Sequence, residues 1–125
     1  MLGTTNIVAF VPTKDPEKAR AFYESVLGLR FVKDDGSAMA LDANGIMIRV
    51  AKVPQFTPAQ FTILGWQVKD IEKVVRGLQK NGVRCEIFGF FKQDELGIWT
   101  ETFFPFPITC DSHCLCGAGT LAREI

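Results

Sequence analysis

The sequence carries a single histidine, His113, and no net charge, because 14 Lys and Arg offset 14 Asp and Glu. One imidazole leaves one candidate for a histidine base, and the adjacent Asp111 and Ser112 cannot hydrogen-bond with it as a triad. Balanced charge produces no long-range field toward nucleic acid or anionic lipid. Nor do the basic residues cluster: Lys14, Lys18 and Arg20 spread along one segment beside Asp15 and Glu17, so no nucleic-acid partner is expected. No basic leader precedes a long apolar run, and charges recur throughout. Neither a secretory nor a membrane segment is expected, and the cytoplasm is the expected compartment. Gly89 and Gly97 lie too far apart, and open no helix, to form a phosphate loop. The cysteines are not a spaced disulfide framework either. Cys110, Cys114 and Cys116 crowd together, and an intracellular chain keeps such thiols reduced.

What remains is a chain of 125 residues, 47% hydrophobic and 22% charged, enough for one compact domain with a real core. Thr5 to Val11 is a β-branched apolar run closed by Pro12 and reads as a strand. Asp15, Pro16 and Glu17 supply a helix cap, a first-turn proline and a first-turn acid. Ala19, Phe22, Tyr23, Val26 and Leu27 then recur at helical spacing and Gly28 stops them, which predicts a helix over 15–27. Three strands follow, Arg30 to Asp34, Ala38 to Asp42 and Ile46 to Val53, separated by the turn signals Asp35-Gly36 and Asn44-Gly45. In the third, Ile46, Ile48 and Val50 alternate with Met47 and Arg49. Residues 54–60 read as a linker. The order then begins again: a strand over Phe61 to Val68, a helix capped by Asp70 with Ile71, Val74, Val75 and Leu78 on one stripe, a stop at Asn81-Gly82 and a strand over Val83 to Gly89. The two halves repeat at about 57 residues, carried by pattern more than by identities.

The strand ending at Val11, the capped helix with Phe22-Tyr23 and the Leu27-Gly28-Leu29 exit resemble the vicinal-oxygen-chelate superfamily. That superfamily includes glyoxalase I, bleomycin-resistance proteins and extradiol dioxygenases. Val68-Lys69-Asp70-Ile71, Asn81-Gly82-Val83 and Asp94 to Thr100 extend the resemblance over residues 5–100. It implies an α+β fold of two βαβββ modules, each a half-barrel, around a ligand-sized cavity. The module boundaries would be 5–53 and 61–125 within a single domain, 1–125. The last strands diverge, since Glu101 to Ile125 does not follow the family pattern. Metal-using members place ligands where this chain has Asn6, Arg49 and Ile63. An amide, a guanidinium and an alkyl group do not make a site for a divalent ion, so no metal and no cofactor are expected.

Each candidate residue has a plain alternative. Arg49 is either a solvated strand arginine or a cavity-facing fork for a carboxylate or phosphate, alongside Asn6, Met47 and Gln67. Phe10, Phe56, Trp66, Phe91 and Trp99 are either core or stacking surfaces for a planar ligand; Trp66 alternates with Leu64 and Val68 onto the helix-packed face and reads as structural. Cys110, His113, Cys114 and Cys116 are numerous enough for zinc but lack paired, separated knuckles, so an irregular tail with reduced thiols is favoured. The reading is therefore a metal-independent small-molecule-binding protein using Asn6, Phe10, Met47, Arg49 and Gln67, expected as a homodimer. Its rivals are a metal-dependent lyase, isomerase or dioxygenase of the same superfamily, with Glu101, His113 or Glu124 as ligands, and an interaction module without a filled cavity.

Overall fold

The first helix begins where the chain offers an acceptor to its orphan amides. In the computed structural model, which describes residues 1–57, 63–83, 94–96 and 98, the Asp15 carboxylate accepts from the Lys18 N–H at 3.2 Å. Pro16 occupies the first helical turn, where its missing N–H costs nothing. Helix α1 spans Pro16–Arg20 and continues as a π-helical segment over Ala21–Val26. The sequence predicts one regular helix over 15–27; the structure follows that path but widens its second half, so the Leu27 N–H reaches the Phe22 carbonyl at 2.9 Å. Gly28, at φ +78°, then turns the chain. The Leu29 N–H bonds the Tyr23 carbonyl, and Leu29 is buried.

Four strands form one mixed sheet: β1 (Val8–Thr13), β2 (Arg30–Asp34), β3 (Ala38–Ala43) and β4 (Ile46–Lys52), in the spatial order β1-β4-β3-β2. β1 runs parallel to β4, and both hairpins are antiparallel. The first strand starts later than the sequence suggests and runs through Pro12 to Thr13. Among the described strands β1 pairs only with β4, so the proline's absent N–H can face the unpaired edge without breaking the ladder. The turn between β3 and β4 is a two-residue hairpin with Asn44 at φ 50° and Gly45 at φ 92°, the type I′ geometry expected of Asn-Gly. A register shift between Phe31 and Lys33 leaves Val32 as a bulge in β2.

Alternation assigns the two faces. Val11, Met39, Leu41, Ile48 and Val50 are each no more than 2% exposed and share one face, against which α1 packs with its buried Ala19; Tyr23, in the π-helical segment that follows, is buried too. Thr13 belongs to this side, and its hydroxyl oxygen accepts from the Asp15 N–H, tying the end of β1 to the start of α1.

The chain divides into two compact units between residues 57 and 58, inside the predicted linker. In the second unit the described residues include helix α2, Ile71–Lys80, capped by Asp70 accepting from the Lys73 N–H. Its exit is a Schellman motif: Val83 N–H bonds the Leu78 carbonyl and Gly82 N–H the Gln79 carbonyl, with Gly82 at φ +81°. Val75 and Leu78 are buried. The strand predicted over Phe61 to Val68 is reduced, across residues 63–68, to a single bridge at Gln67. The expected alternation of exposure survives there, with Leu64, Trp66 and Val68 less exposed than Ile63, Gly65 and Gln67. Apolar alternation specifies which side chains are covered, not how many ladder bonds form. Asp94 closes a tight turn, its carboxylate accepting from the Leu96 and Ile98 N–H groups. The strand predicted over Val83 to Gly89 falls almost wholly outside the described residues, as does everything from Trp99 onward, including the Cys110–Cys116 cluster, Glu101, His113 and Glu124.

Candidate functional site

The face of the first sheet turned away from α1 is chemically unlike the packed one. The parallel register sets Val8 beside Met47 and Phe10 beside Arg49, and the next ladder sets Ala40 beside Arg49 and Ala38 beside Ala51. Small residues thus form a floor from which larger side chains rise. Phe10 is 65% exposed and Val8 and Met47 are exposed beside it, an uncommon amount of apolar surface for three residues of a regular sheet.

Arg49 supplies the polar anchor on this face, and it is not free. Its guanidinium donates to the Asp35 Oδ2 at 2.5 Å. The other oxygen of that carboxylate is held by the turn: Oδ1 accepts from the Ser37 N–H at 3.0 Å, the Ser37 hydroxyl at 2.8 Å and the Ala38 N–H at 2.9 Å. The Arg49 guanidinium first, and then these Ser37 and Ala38 donors, hold the Asp35 carboxyl well below the usual carboxylate range. A second pair borders the turn, with the Lys52 ammonium donating to both oxygens of Asp34 at 2.8 and 2.6 Å. Lys52, followed by the Gly36 N–H, lowers the Asp34 carboxyl. Arg30 and Asp42 approach at 3.8 Å across β2 and β3.

Of the residues singled out in the sequence, Phe10, Met47 and Arg49 are brought together on this one face. Asn6 is exposed, two residues ahead of the first residue of β1, with the alternation that would carry it onto the same side. Gln67 is exposed at a bridge position in the second unit. Two neighbours of these residues were not singled out in the sequence. Val8 is marked by its spacing from Phe10. Asp35 reads in sequence as half of an Asp-Gly turn, and only the turn's reach toward β4 makes it the partner of Arg49. The positions where metal-using relatives carry ligands hold an exposed amide at Asn6, a guanidinium engaged by a carboxylate at Arg49 and an alkyl group at Ile63. These side chains do not fit a divalent cation: one is cationic and one has no lone pair. Among the described residues no three His, Cys, Asp or Glu side chains converge.

Comparison with known proteins agrees with this geometry. Residues 5–87 match the family model of the glyoxalase/bleomycin resistance protein/dioxygenase superfamily. A bleomycin resistance determinant encoded on the transposon Tn5 has a similar structure, with a TM-score of 0.55 at 24% identity, over 70% of this chain and 72% of that one. A glyoxalase/bleomycin resistance protein from Streptomyces sp. CB03234 is similar at TM-score 0.51 and 20% identity, over 74% of this chain and 94% of its own. A third, a glyoxalase/bleomycin resistance protein/dioxygenase from Alicyclobacillus acidocaldarius, gives a TM-score of 0.52 at 17% identity, over 67% of this chain and 68% of that one. No curated protein matches the sequence. A mixed βαβββ sheet, a match over more than half of the sequence and three solved structures of like fold lead to one assignment: the chain belongs to the glyoxalase/bleomycin resistance protein/dioxygenase superfamily.

Proposed function

We propose that this chain binds a small organic molecule without a metal, on the open face of its first sheet. The observation that carries the reading is the β1–β4 register, which sets the exposed Phe10 ring beside Arg49 and Val8 beside Met47, away from α1. An exposed aromatic ring beside an exposed methionine and valine, with one charged pair at the side, suits a planar, largely apolar ligand fixed by few polar contacts. Asn6, two residues ahead of β1, is assigned to its rim. The donor set at Asn6, Arg49 and Ile63 supports metal independence over the lyase, isomerase and dioxygenase chemistries of the superfamily. In this reading the protein works in the cytoplasm as a homodimer, since an apolar face of this kind gains from being closed over. No helix among the described residues is long and apolar enough to cross a membrane.

Titration with N-phenylnaphthylamine, an uncharged planar fluorophore, tests the reading. The wild-type chain is expected to enhance its fluorescence saturably, and Phe10→Ala to weaken binding roughly tenfold, as loss of a central aromatic contact does. Unchanged binding by Phe10→Ala contradicts the placement. Stoichiometric transition metal in the purified protein, by elemental analysis, contradicts the metal-independent reading and favours the enzyme.

A further inference from the structure

Among the charged groups of the open face, one carboxylate is built in with unusual care. Asp35 accepts four hydrogen bonds: three from its own turn, through Ser37 and Ala38, and one from Arg49. The turn donors fix the carboxylate independently of Arg49, so the guanidinium meets a preformed acceptor instead of recruiting a mobile one. Ordinary surface ion pairs are weak because two flexible side chains must be immobilised together. Here one partner is already held by three hydrogen bonds from its own turn. Arg49 is itself largely covered, its side chain 24% exposed, and rises from the strand beside Phe10.

This has a consequence for what the face can bind. A free arginine beside an exposed aromatic ring would be a receptor for a planar anion, through a charge-assisted fork to a carboxylate, sulfonate or phosphate. An arginine already paired with a neighbouring carboxylate is a poorer one. An anion that takes up the remaining guanidinium N–H groups must sit close to a carboxylate that its turn holds in place, and it meets a pair whose charge is already balanced. That cost falls on anions alone, while an uncharged ligand meets a locally neutral pair.

We propose that Asp35 is the specificity-determining residue of this face: by occupying Arg49 it reserves the Phe10–Met47 surface for ligands without a negative charge, and its neutralisation turns the surface into an anion receptor. The assignment rests on the reading of the open face as the ligand site, and it names the class of ligand that site accepts. The discrimination is of the kind achieved by building a repulsive element against the wrong partner.

Two dyes with the same ring system separate the terms, namely uncharged N-phenylnaphthylamine and anionic anilinonaphthalene sulfonate. The wild-type chain is expected to bind the neutral dye more tightly. Asp35→Asn keeps the size of the side chain and is expected to raise affinity for the sulfonate about tenfold, as one newly available charge-assisted contact does. Affinity for the neutral dye should stay within about twofold, and the double variant Asp35→Asn, Arg49→Gln should lose the gain. Ser37→Ala leaves the carboxylate but removes one of its donors, and is expected to give a smaller rise of the same sign, which keeps the assignment testable if Asp35→Asn folds poorly. A sulfonate-to-neutral ratio that changes in neither variant overturns the assignment alone. So does an equal gain for both dyes, which would report loosened packing. Failure of the wild-type chain to bind either dye overturns the ligand-face reading, and this assignment with it.

Discussion

The two faces of the β1-β4-β3-β2 sheet are made by the same strands, one residue out of phase, and differ most along β1: Ala38 and Ala40 of β3 are buried on the second face as well. On the helix side Val11, Leu41 and Val50 are at most 1% exposed; on the other, the neighbour of Val11, Phe10, is 65% exposed. One face is buried and contributes stability through the apolar volume it packs. The other keeps apolar side chains in the open and places an ion pair among them. Stability and, in the proposed reading, recognition are separated by a single step of strand alternation, so substitutions one residue apart are expected to have different kinds of effect.

The largest expected effect lies on the packed face. Leu41→Ala should cost roughly 2–5 kcal/mol, the range for a fully buried leucine, whereas Met47→Ala on the open face should cost under about 1 kcal/mol. Denaturant midpoints with unchanged slopes measure both, and similar losses would erase the distinction. A smaller effect comes from Tyr23, buried under the helix with a hydroxyl that has no partner among the described residues. Burial pushes its phenol up to about 12. Raised above its unfolded value, the group contributes stability that is fully present below about pH 10 and lost as pH rises through about 12. Tyr23→Phe is expected to leave neutral-pH stability equal or up to about 1 kcal/mol higher, because no hydrogen bond is lost, and to flatten the alkaline decline. A marked loss at neutral pH would show that the hydroxyl is satisfied. The smallest effect is on the acid side. Asp34 and Asp35 are held below the ordinary carboxylate range by Lys52 and Arg49, so their contribution is present at neutral pH and lost as pH falls through the lowered values. Asp35→Asn should make the acid-side decline shallower; an identical acid profile would mean the pair is not maintained in solution.

Much of the fold was legible because local chemistry was unambiguous. Asp15-Pro16, Asp70, Asn44-Gly45 and Asn81-Gly82 specify caps and turns through side-chain acceptors and positive φ, and each appears where the sequence puts it. What failed was decided by pairing. Pro12 reads as a terminator, yet β1, which among the described strands pairs only with β4, tolerates it and continues. Apolar spacing over 19–27 suits an α-helical and a π-helical turn alike, so the widened segment left no trace in the pattern. Over residues 63–68 the predicted strand kept its alternation with a single bridge, because alternation does not specify a partner. Of the candidate site, Phe10, Met47 and Arg49 share a face because β1 and β4 are each regular and their register is parallel. Asp35 was invisible, since its role depends on a turn reaching a strand 14 residues away in sequence.

The open face is tested most directly by heteronuclear NMR of the methyl groups as N-phenylnaphthylamine is added. The account predicts that the methyls of Val8 and Met47 shift with the ligand while those of Val11, Ile48 and Val50, on the same two strands, hold still. Shifts confined to the second set, or equal in both, would contradict it.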